Sequence, residues 1–224
     1  MQEKRAFHER KACRMEINIT EESMAALEDY GHVPIAFEVN RVLDVVVRHD
    51  GLDGFVLSER RLEVPYIKDY DAIEGEGPST WATRFDLSNW GLMTAHVEGQ
   101  RVRGVVIAFN TPDVTMLEGR GDLAALWDIR VSSATRGQGV GTALFRGVEI
   151  WCIARGCRRL KIETQHNNVA ACRFYERQGC VLEAANHLAY RERPDEIQLL
   201  WYKDLSLVAA SDDASRSGRG TPRR

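Results

Sequence analysis

Long hydrophobic runs are missing from this 224-residue chain. No apolar stretch approaches the roughly 20 residues that a membrane helix needs. The longest, around Gly104–Phe109, suits a buried strand. The N-terminal MQEKRAFHERKACRMEIN is charged and lacks an apolar core, so no secretory signal and a cytoplasmic address are expected. Cysteine is scarce and odd in number: Cys13, Cys152, Cys157, Cys172 and Cys180, with no C-x-x-C. That pattern is neither a disulfide framework nor a zinc site, and no metal is expected. Cys152 and Cys172 fall in helical patterns, as small buried hydrophobes do. A basic footprint is missing as well. Net charge is −3; residues 1–14 carry +3 and residues 206–224 carry +2, which leaves 15–205 at about −8. Such a body argues against nucleic acid and suits a cationic small molecule.

What is present is a foldable domain. Hydrophobic residues make up 44% of the chain, enough for one core without staples. The last fourteen residues, SDDASRSGRGTPRR, hold almost nothing apolar, so the tail 206–224 is expected to be disordered. Residues 1–14 are expected to be mobile, and 15–205 to form the domain.

Inside that domain the pattern alternates. Phe37–Val47 and Leu52–Val64 read as strands joined at His49-Asp50-Gly51. Residues 65–90 read as an acid-rich loop with Asp69, Asp71, Glu74, Glu76 and Asp86. Gly91–Val97 and Val102–Phe109 read as a hairpin. Ala124–Val131 reads as a strand with Trp127, Ile129 and Val131 on one face and Asp128 on the other. A helix is expected over Gln138–Ala154, with Val140, Leu144, Val148 and Trp151 at helical spacing and Gly156 ending it. Then follow a strand at Arg159–Thr164, a helix capped by Asn168 and closed by Gly179, and strands at Cys180–Tyr190 and Glu196–Leu205. The order implies a mixed sheet with helices packed on it.

Arg136-Gly137-Gln138-Gly139-Val140-Gly141-Thr142 joins the strand at 124–131 to the next helix. Glycines admit close backbone approach, and free amides at a helix start attract anions. Thr142-Ala143 after Gly141 is not the Walker Lys-Ser/Thr. The dinucleotide spacing G-x-G-x-x-G fails from either Gly137 or Gly139. The turn alone is a generic phosphate cradle.

With its surroundings, it resembles the acyl-CoA-binding motif of the GNAT N-acetyltransferases. Leu126-Trp127-Asp128-Ile129-Arg130-Val131 precedes Arg136-x-x-Gly139-x-Gly141. A second family motif appears as Asn168-x-x-Ala171-x-x-Phe174-Tyr175-x-x-x-Gly179, with Cys180 where the family more often has an aromatic. Residues 84–91, 116–120, 161–165 and 198–202 resemble the streptothricin acetyltransferase branch. The likeness spans roughly 64–205 and is weaker before residue 60, where the family's usual pair of helices is not legible. The resemblance implies an α/β (α+β) fold, with a GNAT-type mixed, mostly antiparallel central sheet flanked by helices. It implies acetyl-CoA as co-substrate and a small cationic amine of the streptothricin type as acceptor. No nucleic-acid or membrane partner is expected, and a homodimer stays open.

Acetyl transfer to an amine needs the amine deprotonated, donors for an oxyanion and a proton for the departing thiolate. At pH 7 about one alkyl amine in a few thousand is neutral, so a base helps. Tyr175 takes the family's acid position, or is a core tyrosine beside Phe174. The amide of Ile129, or of a neighbour on its strand, is the expected oxyanion donor. Arg130 and Val131 share its strand, and Val131 would pair with the pantetheine arm like an added strand. Arg136, Gly137, Gln138, Gly139, Val140, Gly141 and Thr142 would take the diphosphate, with a solvated turn charge as the alternative for Arg136, and Asn168 would touch pantetheine or only cap its helix. Asp128 and Glu118 are the first candidates for the acceptor amine, and Glu163 is the next; each has a structural ion pair as its alternative. Trp90 and Trp127 are candidates to line the acceptor cleft by cation–π contact, or to pack the core. Other acceptors (a polyamine, a protein lysine or N-terminus) and a non-catalytic CoA-binding module remain alternatives.

Overall fold

The computed structural model describes residues 16–49, 54–73, 75–97, 100–131 and 138–206. Residues 1–14 and 207–224 of the expected tails, the start of the glycine turn with Arg136 and Gly137, and Glu74 lie outside them. Seven strands form one sheet in the order β1-β4-β5-β6-β7-β9-β8. They are β1 (Ile17–Glu22), β4 (Gly91–Val97), β5 (Gln100–Phe109), β6 (Leu123–Val131), β7 (Arg159–Gln165), β8 (Val181–Asn186) and β9 (Gln198–Asp204). Every pairing is antiparallel except β6 with β7. β2 (Phe37–Val47) and β3 (Phe55–Lys68) form a separate hairpin.

Helices cover both faces. α3 (Val140–Ala154) buries Val140, Leu144, Phe145, Val148, Trp151 and Cys152, an apolar stripe at helical spacing. α4 (Val169–Arg177) begins where Asn168 accepts a hydrogen bond from the Ala171 amide and buries Cys172 and Tyr175. These helices, with Leu43 of β2, pack on one face of the sheet. The short α1 (Leu27–Gly31) and α2 (Pro78–Arg84) cover the other with Tyr30, Trp81, Trp90 and Leu117. Central β4 and β5 are buried on both faces, which explains their nearly unbroken apolar sequence.

From β4 onward the order of strands and α-helices is as expected, and three readings need correction. β1 was not expected; it pairs with β4 at the sheet edge. Residues 65–90 are not all loop: β3 runs on to Lys68, and Pro at the first helical position starts α2. Third, Trp127 and Ile129 do not share a face. Val106 pairs with Asp128 while the next residue, Ile107, pairs with Leu126, so Trp127 is the extra residue of a β-bulge. Trp127 packs on the α1–α2 side and Ile129 on the α3–α4 side. Directly paired residues share a face, so Asp128 joins Val106 on the α1–α2 side.

Candidate active site

β6 and β7 pair only from Leu123↔Arg159 to Leu126↔Ile162. Beyond that pair the strands part, leaving 128–131 of β6 and 163–165 of β7 unpaired with each other. The parting opens at the end of β6 that leads to the glycine turn. Gly139, at φ +82°, stands before α3, and no side chain caps that helix. Its left-handed backbone favours glycine, and the first amides of α3 keep their capacity for an anion. Arg103 of β5 is buried and comes close: a Cβ on Gly141 would lie 3.7 Å from its Nη1. It adds positive charge to the turn, and the sequence reading had not singled it out.

On the α1–α2 side, acids gather around the parting. Asp128 is 9% exposed and accepts from Arg130 Nε at 2.9 Å. Arg130 also gives Nη1 and Nη2 to Asp71 at 2.8 and 2.7 Å, and Nη1 to the carbonyls of Gly31 and Val33. Its guanidinium carbon lies 5.4 Å from the Tyr30 ring centre. Tyr30 is wholly buried, against Gly104, where a Cβ would come within 2.7 Å of its ring. One guanidinium thus serves two carboxylates. Burial pushes the Asp128 carboxyl up to about 6, against the lowering pull of Arg130, and the nearby Asp71 charge adds to the rise. The Arg130 side chain is committed to this acidic unit, so what remains of it for a cofactor is backbone.

Glu163 lies on β7, and Glu118, just after the turn 115–117, reaches Lys161 of that strand. Glu118, in left-handed backbone at φ +55°, accepts from Lys161 Nζ at 2.7 Å and from the Tyr202 hydroxyl at 3.3 Å. The Lys161 hydrogen bond holds its carboxyl below the usual range. Glu163 accepts from Tyr190, from Gln198 Nε2 at 2.7 Å and from Gln165 Nε2 at 3.4 Å. Gln165 in turn accepts from the Tyr70 hydroxyl. Tyr70 and Asp71, adjacent in sequence, therefore reach β7 and β6 respectively and strap the parting.

Tyr175 is 2% exposed, ringed by Phe145 and Phe174, and burial raises its phenol well above its ordinary value. The Asp128 charge also acts on it, so the two groups lie within electrostatic reach across the parting. Asn168 holds its cap; Trp90 and Trp127 join Trp81 and Phe85 in an aromatic cluster under α2. Trp90 is 5% exposed and donates to Thr111, a core role. An open groove of about 990 Å³ borders that cluster, between residues 21–28 and 78–90, away from the parted strands. Sequence reasoning missed Tyr30, Tyr70, Tyr190 and Lys161, because nothing in their local spacing shows that distant segments bring them together.

A parallel strand pair that opens midway, an anion-attracting helix start on one side and a buried acid on the other define an acyl-transfer enzyme. The acetyltransferase (GNAT) family model matches residues 61–180, and the chain belongs to that family. It is an acetyl-CoA-dependent N-acetyltransferase. It is 30% identical over 206 residues to the streptothricin acetyltransferase of Escherichia coli, covering 89% of this chain and all of that one. Streptothricin acetyltransferase A of Bacillus subtilis (strain 168) is 26% identical over 154 residues, 65% of this chain and 77% of that one. A solved structure from Bacillus anthracis str. Ames, described as a streptothricin acetyltransferase in complex with acetyl coenzyme A, superposes with a TM-score of 0.67 at 25% identity. It covers 85% of this chain and 99% of its own. The residues at the turn fit acetyl-CoA: an uncapped helix start, a glycine at positive φ and a buried arginine beside it. Among the described residues, no helix is long and apolar enough to cross a membrane.

Proposed function

We propose that the chain transfers the acetyl group of acetyl-CoA to an amine of a streptothricin-type antibiotic. The observation that carries this is the Asp71–Arg130–Asp128 unit at the parting, with two carboxylates against one buried guanidinium. Its surplus negative charge suits an ammonium, and the names of the two relatives point to this acceptor.

Acetyl-CoA brings an activated thioester carbon and a thiol leaving group. The amides on the β7-facing edge of β6 from Ile129 onward, which β7 no longer pairs, would hold pantetheine and the developing oxyanion, with Val131 pairing as an added strand would. The described part of the turn, Gln138–Thr142, and Arg103 hold the diphosphate, with Arg136 and Gly137 completing it. Asp128 takes a proton from the acceptor ammonium. A carboxylate shifted to about 6 is still ionised at neutral pH, yet a stronger base than an ordinary one. Tyr175, kept protonated by burial, gives its proton to the departing thiolate. Glu118 is paired with Lys161 and ranks below Asp128 as a base.

The test is thiol release from acetyl-CoA against streptothricin, an aminoglycoside, spermidine and a lysine peptide. Streptothricin is expected to be the best acceptor. Release with spermidine or the peptide but not streptothricin replaces the acceptor and keeps the chemistry. Acetyl-CoA binding with no turnover on any amine favours a non-catalytic binding module.

A further inference from the structure

The acids on the α1–α2 side differ in one respect. Asp128 and Asp71 share Arg130, Glu118 has Lys161, and Glu196 has Lys68. Among the described residues, Glu163 forms no ion pair with a basic side chain. Its donors are neutral: Tyr190 and Gln165 to one oxygen, Gln198 to the other. Those donors are themselves held, since Tyr190 accepts from Gln165 Nε2 at 2.7 Å and Gln165 accepts from Tyr70. Burial and the Glu163 charge both raise the Tyr190 phenol, so it stays a donor to that carboxylate. The carboxylate is thus fixed in direction, and no described basic side chain forms an ion pair with it. A half-buried charge of this kind is costly unless a counter-charge arrives.

Its position says which counter-charge. Glu163 is the first residue of β7 beyond Ile162, where pairing with β6 ends. Lys161 pairs with Ala125 of the α1–α2 cluster, and Glu163, two residues on, projects to the same side. Asp128 stands on that side too, two residues beyond Leu126 on the other arm. The two carboxylates therefore flank one opening from opposite strands. Arg130 partly offsets Asp128, whereas the partners of Glu163 among the described residues are neutral.

We infer that Glu163 is a second ammonium subsite, which holds a non-reacting amine of the acceptor while Asp128 takes the reacting one, so that the preferred acceptor is an aliphatic diamine. This rests on the acetyltransferase reading with Asp128 at the reacting amine. Tyr190 and Gln165 position the Glu163 carboxylate, and Tyr70 holds Gln165 in turn. A fixed carboxylate with neutral donors binds an ammonium without first breaking an ion pair, which a site built on Glu118 and Lys161 would require.

The experiment uses three probes with the full chain and acetyl-CoA: lysine amide, norleucine amide with only the α-amine, and ε-aminocaproamide with only the terminal amine. Wild type is expected to show a KM for lysine amide lower than for either monoamine by about tenfold, the size of one modest charge contact. Glu163→Gln should erase that advantage, raising KM for the diamine while leaving both monoamines within about twofold and kcat little changed. Glu163→Asp should restore part of it. Tyr190→Phe, a milder change, should raise the diamine KM in the same sense. Equal loss on all three probes, or none on any, overturns the subsite. Calorimetric binding of lysine amide separates the two readings. Glu163-dependent binding without thiol release would sink the transfer chemistry and keep the subsite; thiol release with no Glu163 dependence would do the reverse.

Discussion

Burial and Arg130 pull the Asp128 carboxyl in opposite directions, and burial wins, setting it at about 6. A carboxyl raised on folding binds its proton more tightly in the native state. Its contribution to stability is therefore present below the ordinary value of about 4 and is lost as pH rises through about 6. Asp128→Asn, close in volume, should flatten that part of the stability curve, a change of up to about 3 kcal/mol in urea unfolding between pH 4 and pH 7. The same variant should lose the acid limb of kcat/KM near pH 6 along with most of the rate. A retained limb would assign it to another group. Tyr175→Phe removes one hydroxyl from a ring packed between Phe145 and Phe174, so the fold should survive. Turnover should fall by about 10²–10⁴ with acetyl-CoA affinity unchanged. A fall under twofold in single-turnover acetyl transfer would leave Tyr175 a packing residue.

Elements were legible where one physical signal dominated. α3 and α4 showed in sequence because their apolar spacing, the Asn168 cap and the glycines after them agree. β1 was not legible: INITEE is six residues at the edge, and its pairing with β4 is set by distant chain. α2, PSTWATR, buries only Pro78 and Trp81, too few to show a helical period. The bulge at Trp127 was hidden for a different reason. Strict alternation is the sole face signal a strand carries, and one inserted residue inverts it for everything that follows. That inversion puts Asp128 beside Tyr30 and Arg130. The candidate site was accordingly half readable: the residues of β6 and the turn were named, but not the side they face. At this scale the fit of Tyr30 depends on Gly104. Gly104→Ala would drive a Cβ to 2.7 Å from the Tyr30 ring and 3.3 Å from the Met93 carbonyl. Overpacking of this kind typically costs about 1–3 kcal/mol, readable as a lower urea midpoint at unchanged slope. The acceptor KM should rise as well, because Tyr30 lies under the Arg130 guanidinium. An alanine variant with wild-type midpoint and KM would show that α1 yields without disturbing the site.

Taken as a whole, the molecule divides its labour between the two faces of one sheet. The α3–α4 side offers backbone amides and positive charge, and the α1–α2 side offers carboxylates. Arg130 is where the second side is tied together: it bonds β6 to itself through Asp128, to the loop after β3 through Asp71 and to the end of α1 through Gly31 and Val33. Three segments far apart in sequence thus meet on one side chain that is 2% exposed. A planar guanidinium can serve them all at once because its five donors form a rigid fork; an ammonium of equal charge cannot. Arg130→Lys keeps the charge, so it separates geometry from electrostatics. It should weaken unfolding stability by less than the roughly 3–5 kcal/mol expected of Arg130→Met, which leaves the buried Asp128 and the more exposed Asp71 without their shared counter-charge. Both variants should raise the acceptor KM by about tenfold or more, since Asp71 and Asp128 lose their fixed orientation. Acetyl-CoA affinity should stay within about twofold in Arg130→Lys, because the start of α3 lies on the other face of the sheet and the amides of β6, in the sheet plane, do not depend on the Arg130 side chain. Loss of acetyl-CoA binding in that variant, with the fold intact by circular dichroism, would mean that Arg130 works toward the co-substrate and that the two faces are not independent.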